Sequence, residues 1–202
     1  MKSILSGTYR DHGFLGFNSA VVVDVETTGF SPEQDRVVSI CALLVEDFDR
    51  AVKTKDISYK QYTTKVNPGI AIPASATRVH GITNRDVANC DSFSDIATFL
   101  RDFIGDLPII GHNIGFDKRF LDAEFKRAGV RGIFRKKSYC TMGRMKELHG
   151  YTGQGFVDFK LVDACRKFGC AIERKSIHDP IEDAMMALQL AMVFYGIDNE
   201  IS

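Results

Sequence analysis

The stretch VVVDVETTG, residues 21–29, places two carboxylates in an otherwise apolar, β-branched run. β-Branched residues favour strands, so a buried strand is predicted at Ala20–Val25, with a turn after it. Because successive side chains of a strand point to opposite faces, Asp24 and Glu26 are expected to project from the same face. Either the strand end reaches solvent, where paired acids cost little, or the pair holds a cation. Oxygen-only ligands favour Mg²⁺ or Mn²⁺.

Two more strand signals follow the first, at Val37–Glu46 and Tyr59–Val66. Residues 27–32, between the first two strands, are rich in turn-forming types. Three successive strands with short connections predict an antiparallel meander. Residues 1–18 show little periodicity, so they are interpreted as an N-terminal extension of a single domain that spans residues 19–202.

Beyond the meander the apolar pattern changes to helical spacing. It predicts a helix from Phe93 to Ile104, preceded by a capping box of Ser92 and Asp95. Short strands at 107–110 and 138–141 are predicted to alternate with helices at about 116–128, 161–168 and 181–195. The combination predicts an α/β, ribonuclease-H-like mixed sheet: a three-stranded antiparallel meander plus parallel strands, flanked by helices.

Composition excludes several classes of protein. The chain has 202 residues, of which 45% are hydrophobic and 26% charged, as expected for one ordinary globular domain. Five cysteines without a C-x-x-C pair indicate reduced thiols in the cytoplasm, and no apolar stretch is long enough to cross a membrane. Lysine plus arginine equals aspartate plus glutamate, 26 each, so the chain lacks the excess of positive charge that is typical of proteins that bind long nucleic-acid duplexes. The densest basic run, residues 126–137, is either a solvated helix end or a rim that contacts a nucleic-acid backbone.

A second acid follows the short strand at 107–110, in the run GHNIGFD, residues 111–117. Asn113 is predicted to cap the next helix, which puts Asp117 in the first turn of that helix. Ligands of α/β proteins bind outside the carboxyl ends of the strands, so Asp117 is a candidate ligand. On its own, an acid at this position is more often explained by the favourable interaction with the helix dipole.

The third candidate region is HDPIED, residues 178–183. Asp179 as N-cap and Pro180 as first helical residue give a consistent helix start, with Asp183 in the first turn. His178 then lies on the loop outside the helix, where a general base is free to move. A loop histidine on its own is more often a surface residue.

Taken in order, VDVETTG, HNIGFD and H-x4-D resemble the three motifs of the DEDD-type 3′–5′ exonucleases, histidine subclass. This family includes the proofreading epsilon subunits of bacterial replicative DNA polymerases, and VHGIT, residues 79–83, is typical of the epsilon-like branch. The resemblance extends over residues 19–195. The sequence departs from the family pattern at three places: Pro180, Cys140-Thr141 and the glycine-rich residues 150–155. These departures leave the identity of the substrate undecided, but none of them removes a predicted metal ligand.

The resemblance implies two-metal hydrolysis of phosphodiesters. Two divalent ions, Mg²⁺ or Mn²⁺, would be held by four acids: Asp24, Glu26, Asp117 and Asp183. His178 would be the general base. The nucleotide would be contacted by Thr27, Thr28, Gly29, His80 and Asn113, while Phe30 and Phe116 either stack on bases or pack in the core.

The implied substrate is a single-stranded 3′ end, with DNA favoured over RNA by a small margin, and the product is a nucleoside monophosphate. Three alternatives stay open: trimming of RNA or short oligoribonucleotides, a catalytically silent nucleic-acid-binding module, and an endonuclease of the same fold. A polymerase subunit and a second copy of the chain are the candidate protein partners. No membrane association is expected.

Overall fold

The computed structural model describes residues 17–133, 137–150, 159–170 and 180–199. These form a five-stranded mixed sheet with the strand order β3-β2-β1-β4-β5. The β1–β2 and β2–β3 pairs are antiparallel, whereas the β1–β4 and β4–β5 pairs are parallel. The predicted fold class, a three-stranded meander plus parallel strands, is confirmed. The strands are β1 (Ala20–Thr27), β2 (Val37–Val45), β3 (Tyr59–Lys65), β4 (Ile109–Gly111) and β5 (Ser138–Cys140).

Helices flank both faces of the sheet. The capping box of Ser92 and Asp95 is present at the start of α4, as predicted. Thr141 was predicted to end a strand but begins α6. The short helices α1 to α3, of seven, seven and four residues, were not predicted. The helices are α1 (Phe48–Thr54), α2 (Ala74–His80), α3 (Asn84–Val87), α4 (Phe93–Ile104), α5 (Ile114–Arg127), α6 (Thr141–Gly150), α7 (Leu161–Lys167) and α8 (Pro180–Asp198).

The two faces of β1 pack against different helices. Val21 and Val23 belong to the core cluster that includes residues of α4 and α5, while Ala20 and Val22 belong to the cluster that includes residues of α8. Asp24 and Glu26 continue the second row, because side chains alternate along a strand. The pleat of β1 therefore directs both acids towards the side of the sheet that α8 covers.

The start of the domain includes residues that were predicted to lie in the extension. Phe17 packs against the core cluster on the α8 side. The Asn18 side chain donates to Asp47 Oδ1 at 3.0 Å and accepts from the Asp49 amide at 2.7 Å. Residues 1–16 lie outside the described residues, so an extension there remains a prediction. Within the described ranges, no helix combines the length and apolar character needed to span a membrane.

A buried carboxylate joins α5 to the start of β2. Glu124 is 4% exposed, and its Oε1 accepts a hydrogen bond from the Val37 amide at 3.1 Å. Arg127 Nη1 lies 3.1 Å from the same oxygen. The pairing of β1 and β2 shifts register next to this point, between Glu26 and Thr27. Glu124 therefore satisfies a backbone donor at the bulge that follows the acids of β1.

We predict that Glu124→Ala lowers the free energy of unfolding by about 2–4 kcal/mol, because the Val37 amide loses its partner and a cavity remains. Glu124→Gln keeps an oxygen acceptor and should cost less. Urea unfolding measures both. The control is Glu46→Ala, since Glu46 pairs with Lys60 on the surface with both side chains 65% exposed, and such pairs contribute little. Equal midpoints for Glu124→Ala and Glu46→Ala would contradict the assignment.

Candidate active site

A cleft opens beyond the carboxyl ends of the parallel strands β1 and β4. Its volume is about 520 Å³, which lies within the range of small-molecule sites. Five parts of the fold line it: β1, the start of α5 with the residues before it, α6, α7 with the residue before it, and α8. The lining residues are Asp24, Val25, Glu26, His112, Asn113, Phe116, Asp117, Met142, Lys160, Leu161, Val162, Asp163, Arg166 and Asp183.

Three of the four predicted metal ligands meet on the floor of this cleft. Asp24, Glu26 and Asp183 each offer a carboxylate oxygen, and these oxygens all lie within 4.8 Å of one another. Asp183 is buried in the first turn of α8, on the side of the sheet that Asp24 and Glu26 face. Carboxylates at this separation repel each other, and a divalent cation between them would replace this repulsion by attraction. The all-oxygen donor set fits a hard ion such as Mg²⁺ or Mn²⁺.

Asp117, the fourth predicted ligand, lines the same cleft from the first turn of α5. It is 5% exposed, and its Oδ1 accepts from the Val25 amide at 3.1 Å. It is not in the group of three carboxylates whose oxygens lie within 4.8 Å of one another. Burial raises the pKa of Asp117 to about 7. A cation in the cleft would oppose this shift by favouring the charged form.

The connection from β4 to α5 is tightly packed. A Cβ on Gly111 would lie 2.9 Å from Ile114 Cδ1 and 3.1 Å from the Val23 carbonyl oxygen, so a side chain there would force Ile114 and the backbone of β1 to shift. Asn113 stands at the N-cap position in the left-handed conformation, with φ at 69°. The predicted N-cap position of Asn113 is confirmed, although its side chain makes no capping hydrogen bond. The Asn113 side chain borders the cleft instead.

His112 connects β4 to two distant segments. Its Nε2 lies 2.7 Å from the Phe159 carbonyl oxygen, and its Nδ1 lies 2.9 Å from Thr141 Oγ1. A carbonyl only accepts, so Nε2 carries the proton, and Nδ1 of the neutral ring is an acceptor. The Thr141 hydroxyl lies 2.9 Å from this Nδ1 and 3.4 Å from the Gly111 carbonyl oxygen, so Nδ1 is the nearer of its two acceptors. Burial lowers the pKa of His112, in keeping with this neutral form. The structure gives His112 a bridging position at the edge of the cleft.

The loop after β1 is organised by Asp35, which the sequence analysis missed. Asp35 Oδ1 accepts from the Thr28 hydroxyl at 3.0 Å, and Oδ2 accepts from the Ser31 amide at 2.9 Å. A Cβ on Gly29 would lie 2.4 Å from the Asp35 carboxylate, so glycine allows this close approach. The Thr27 hydroxyl donates to the Gly29 carbonyl at 2.6 Å. Thr27 to Gly29 are therefore held in a defined turn next to Glu26, and their contact with a nucleotide stays a prediction.

The two phenylalanines at the site differ in environment. Phe30 is 86% exposed, so the interpretation as core packing is wrong for it. Phe116 lines the cleft and packs against Phe120, with ring centroids 4.8 Å apart. The centroids of Phe30 and Phe116 lie 6.4 Å apart in an edge arrangement. An exposed aromatic ring thus stands beside the cleft.

His80 is buried at the end of α2, where its Nδ1 accepts from the Ile82 amide at 3.0 Å. It is not among the described residues that line the cleft, and its predicted contact with a nucleotide stays a prediction. Within the basic run, Arg127 is used structurally, since it pairs with Glu124 and donates to the Pro32 carbonyl. His178, Asp179 and residues 151–155 lie outside the described residues.

The family model described as Exonuclease matches residues 21–191 of the chain. The chain belongs to the exonuclease family. The matched segment contains all five predicted catalytic positions, and the recognition of the DEDD type from the three motifs is confirmed.

Relatives in sequence include polymerase subunits and larger nucleases. The chain is 27% identical over 171 residues to the DNA polymerase III subunit epsilon of Aquifex aeolicus, a match that covers 84% of this chain and 77% of the relative. It is 29% identical over 144 residues to the 3′–5′ exonuclease DinG of Bacillus subtilis, covering 71% of this chain but only 14% of that protein.

Solved structures share the fold at low sequence identity. Escherichia coli exonuclease I in complex with a dA16 oligonucleotide gives a TM-score of 0.71 at 15% identity, covering 90% of this chain and 43% of the other. Exonuclease X in complex with 5′ overhanging duplex DNA gives a TM-score of 0.66 at 18% identity, covering 89% and 93%. At these identities the likeness establishes the fold of the chain.

We predict that Asp117→Asn removes part of the pH dependence of stability in the metal-free protein. The folded-state pKa of about 7 lies above the ordinary value of 3.8, so the folded protein holds an extra proton between these limits. Stability therefore falls as pH rises from about 4 to about 7, and asparagine has no such loss. Urea midpoints in EDTA, measured from pH 5 to 8, should fall more steeply for the wild type. Parallel profiles would contradict the assignment.

Proposed function

We propose that this chain is a divalent-metal-dependent 3′–5′ exonuclease that releases nucleoside monophosphates from single-stranded 3′ ends. The observation that carries the proposal is the meeting of Asp24, Glu26 and Asp183 in a cleft of about 520 Å³. Membership of the exonuclease family supports it.

Four acids of the chain would hold two ions, Mg²⁺ or Mn²⁺: Asp24, Glu26, Asp117 and Asp183. When bound, such ions lower the pKa of an attacking water and stabilise the leaving 3′ oxygen. The buried Asp117 is oriented by the Val25 amide, which fixes the side chain before any ion arrives.

His178 is proposed as the general base that takes the proton from the water. Its sequence position supports this role, because α8 begins at Pro180 and carries Asp183 in its first turn. A base two residues ahead of that helix is attached to a rigid element that bears a metal ligand. An imidazole with a pKa near neutrality suits proton transfer at physiological pH.

The terminal nucleotide is proposed to contact Thr27, Thr28, Gly29, His80 and Asn113. The exposed Phe30 ring offers a surface on which an unpaired base can stack. Bases of a single strand expose their faces to such rings, which supports a single-stranded end. DNA is favoured over RNA because the relatives include DNA polymerase subunits and solved structures with DNA oligonucleotides.

The cellular setting is also a proposal. All five cysteines are free thiols, as expected in the reducing cytoplasm. The name of the epsilon relative, a subunit of DNA polymerase III, supports a polymerase subunit as partner. A second copy of the chain is the other candidate.

We predict that the purified protein shortens a 5′-labelled DNA single strand in Mg²⁺ or Mn²⁺ and that EDTA stops it. Asp24→Asn should reduce the rate by more than about a hundredfold, since even partners behind a metal ligand are worth 10–100-fold. The control is Asp102→Asn, which changes an exposed acid on α4 that does not line the cleft. Product sizes on a denaturing gel report the direction of digestion.

Matched DNA and RNA strands, with a closed DNA circle, complete the assay. A higher kcat/KM for DNA, with the circle uncut, is expected. Faster digestion of RNA would reassign the enzyme to RNA trimming, and cutting of the circle would indicate an endonuclease. The proposed function is rejected if the wild type and Asp24→Asn behave alike with every substrate.

A further inference from the structure

The wall of the cleft that α7 forms carries positive charge. This α7 wall consists of Lys160, Leu161, Val162, Asp163 and Arg166, all of which line the cleft with the acids. Lys160 stands at the N-cap position, and Arg166 lies in the last turn of α7. The chain as a whole has no excess of positive charge. The two cations next to the acid cluster are therefore a feature of this cleft and do not reflect the overall charge of the chain.

A third cation lies behind this wall. Lys146 Nζ stands 5.2 Å from the centroid of the Phe159 ring, and Phe159 immediately precedes Lys160. Lys146 is also close enough to His112 to contribute to lowering the pKa of His112. The positive charge at this border thus comes from both α6 and α7.

The α7 wall is held in place from two sides. His112 donates to the Phe159 carbonyl at 2.7 Å, which fixes the residue before Lys160 to the end of β4. On the other side, Cys165 is buried and its thiol donates to the Met186 carbonyl of α8 at 3.7 Å. Because β4 pairs with β1 and α8 carries Asp183, both attachments lead to elements that bear or adjoin the acids. The cations are therefore placed relative to the acid cluster by the core of the fold.

Arg166 keeps its capacity to bind an anion although it has a partner. Its Nη1 lies 3.1 Å from Asp163 Oδ1, with the arginine side chain 70% exposed. Pairs exposed to this degree are weak, and a guanidinium has five donors, most of which such a contact does not use.

An exonuclease holds more of its substrate than the bond that it cuts. Metal ions on the acid cluster would neutralise only the phosphate that lies against them, and the next phosphates of the strand need cations elsewhere. A surface that follows a single strand combines basic side chains with stacking positions. The α7 wall offers the basic side chains within the same cleft.

We propose that Lys160 and Arg166 bind a phosphodiester of the retained strand, next to the one that is cut, and that His112 positions the wall that carries them. This inference rests on the proposed function. It names the residues that hold the strand, as distinct from those that cleave it.

The test compares Lys160→Gln and Arg166→Gln with Lys167→Gln. Lys167 is an exposed cation of the same helix that does not line the cleft, which makes it a matched control. Two substrates are used: a 15-nucleotide DNA strand, and the p-nitrophenyl ester of thymidine 5′-monophosphate. The ester has one phosphodiester and no further strand, so it reports on cleavage without strand binding.

For the oligonucleotide, each of the two wall variants should raise KM by about 10- to 150-fold, the range expected for loss of a charge-assisted hydrogen bond. The plot of log Kd against log salt, measured by fluorescence anisotropy in Ca²⁺, should lose about 0.7 from its slope per cation removed. The ester should show a much smaller change, and Lys167→Gln should match the wild type with both substrates.

His112 is tested as a positioning residue by two replacements. His112→Gln retains an N–H donor near the position of Nε2 and should keep most of the oligonucleotide affinity. His112→Asn loses the bond to Phe159 and should raise KM for the oligonucleotide more than it changes the ester reaction. A general loss of structure would affect both substrates and both variants together.

The proposal is overturned if the wall variants leave KM and the salt slope unchanged, or if they reduce both reactions equally. Failure of the proposed function gives a different result. In that case the wild type hydrolyses neither substrate, while anisotropy still measures whether DNA affinity depends on Lys160 and Arg166.

Discussion

Carboxylate oxygens of Asp24, Glu26 and Asp183 lie within 4.8 Å of one another at the end of the central strand. Like charges this close destabilise the fold unless one carboxylate is protonated or a cation lies between them. The surrounding structure is built to hold these groups together. The pleat of β1 points two acids at α8, the start of α8 supplies the third, and helix α5 fixes Asp117 on the Val25 amide. The same carboxylates that suit metal binding therefore lower the stability of the metal-free protein.

Attachments between distant segments give the cleft its shape. Glu124 binds the start of β2, Asp35 folds the turn after β1, and His112 fixes the residues that lead into α7. Each uses a polar side chain to satisfy backbone groups that a bulge or a turn leaves open. The acids on the floor and the cations on the α7 wall are consequently carried by one connected framework.

Local patterns in the sequence predicted only some of these features. Strand alternation was enough to place Asp24 and Glu26 on one face, and Pro180 was enough to mark the start of α8. The bond between His112 and Phe159 spans 47 residues, so no local pattern indicates it. The close approach of Asp35 to Gly29 was also not predictable, because it depends on the path that the backbone takes through the turn. Residue type was enough to predict Asn113 as the N-cap of α5, but not its left-handed backbone or its place in the lining of the cleft.

Titration of Mn²⁺ into protein stripped of metal tests most directly whether the acid cluster is a metal site. Calorimetry and thermal unfolding should both detect binding, with a stabilisation of about 2.7 kcal/mol when free Mn²⁺ is a hundred times the dissociation constant. Asp24→Asn and Asp183→Asn should lose most of this effect, while Asp102→Asn keeps it. Absence of binding by the wild type, or equal binding by the Asp24 and Asp183 variants, would contradict the account.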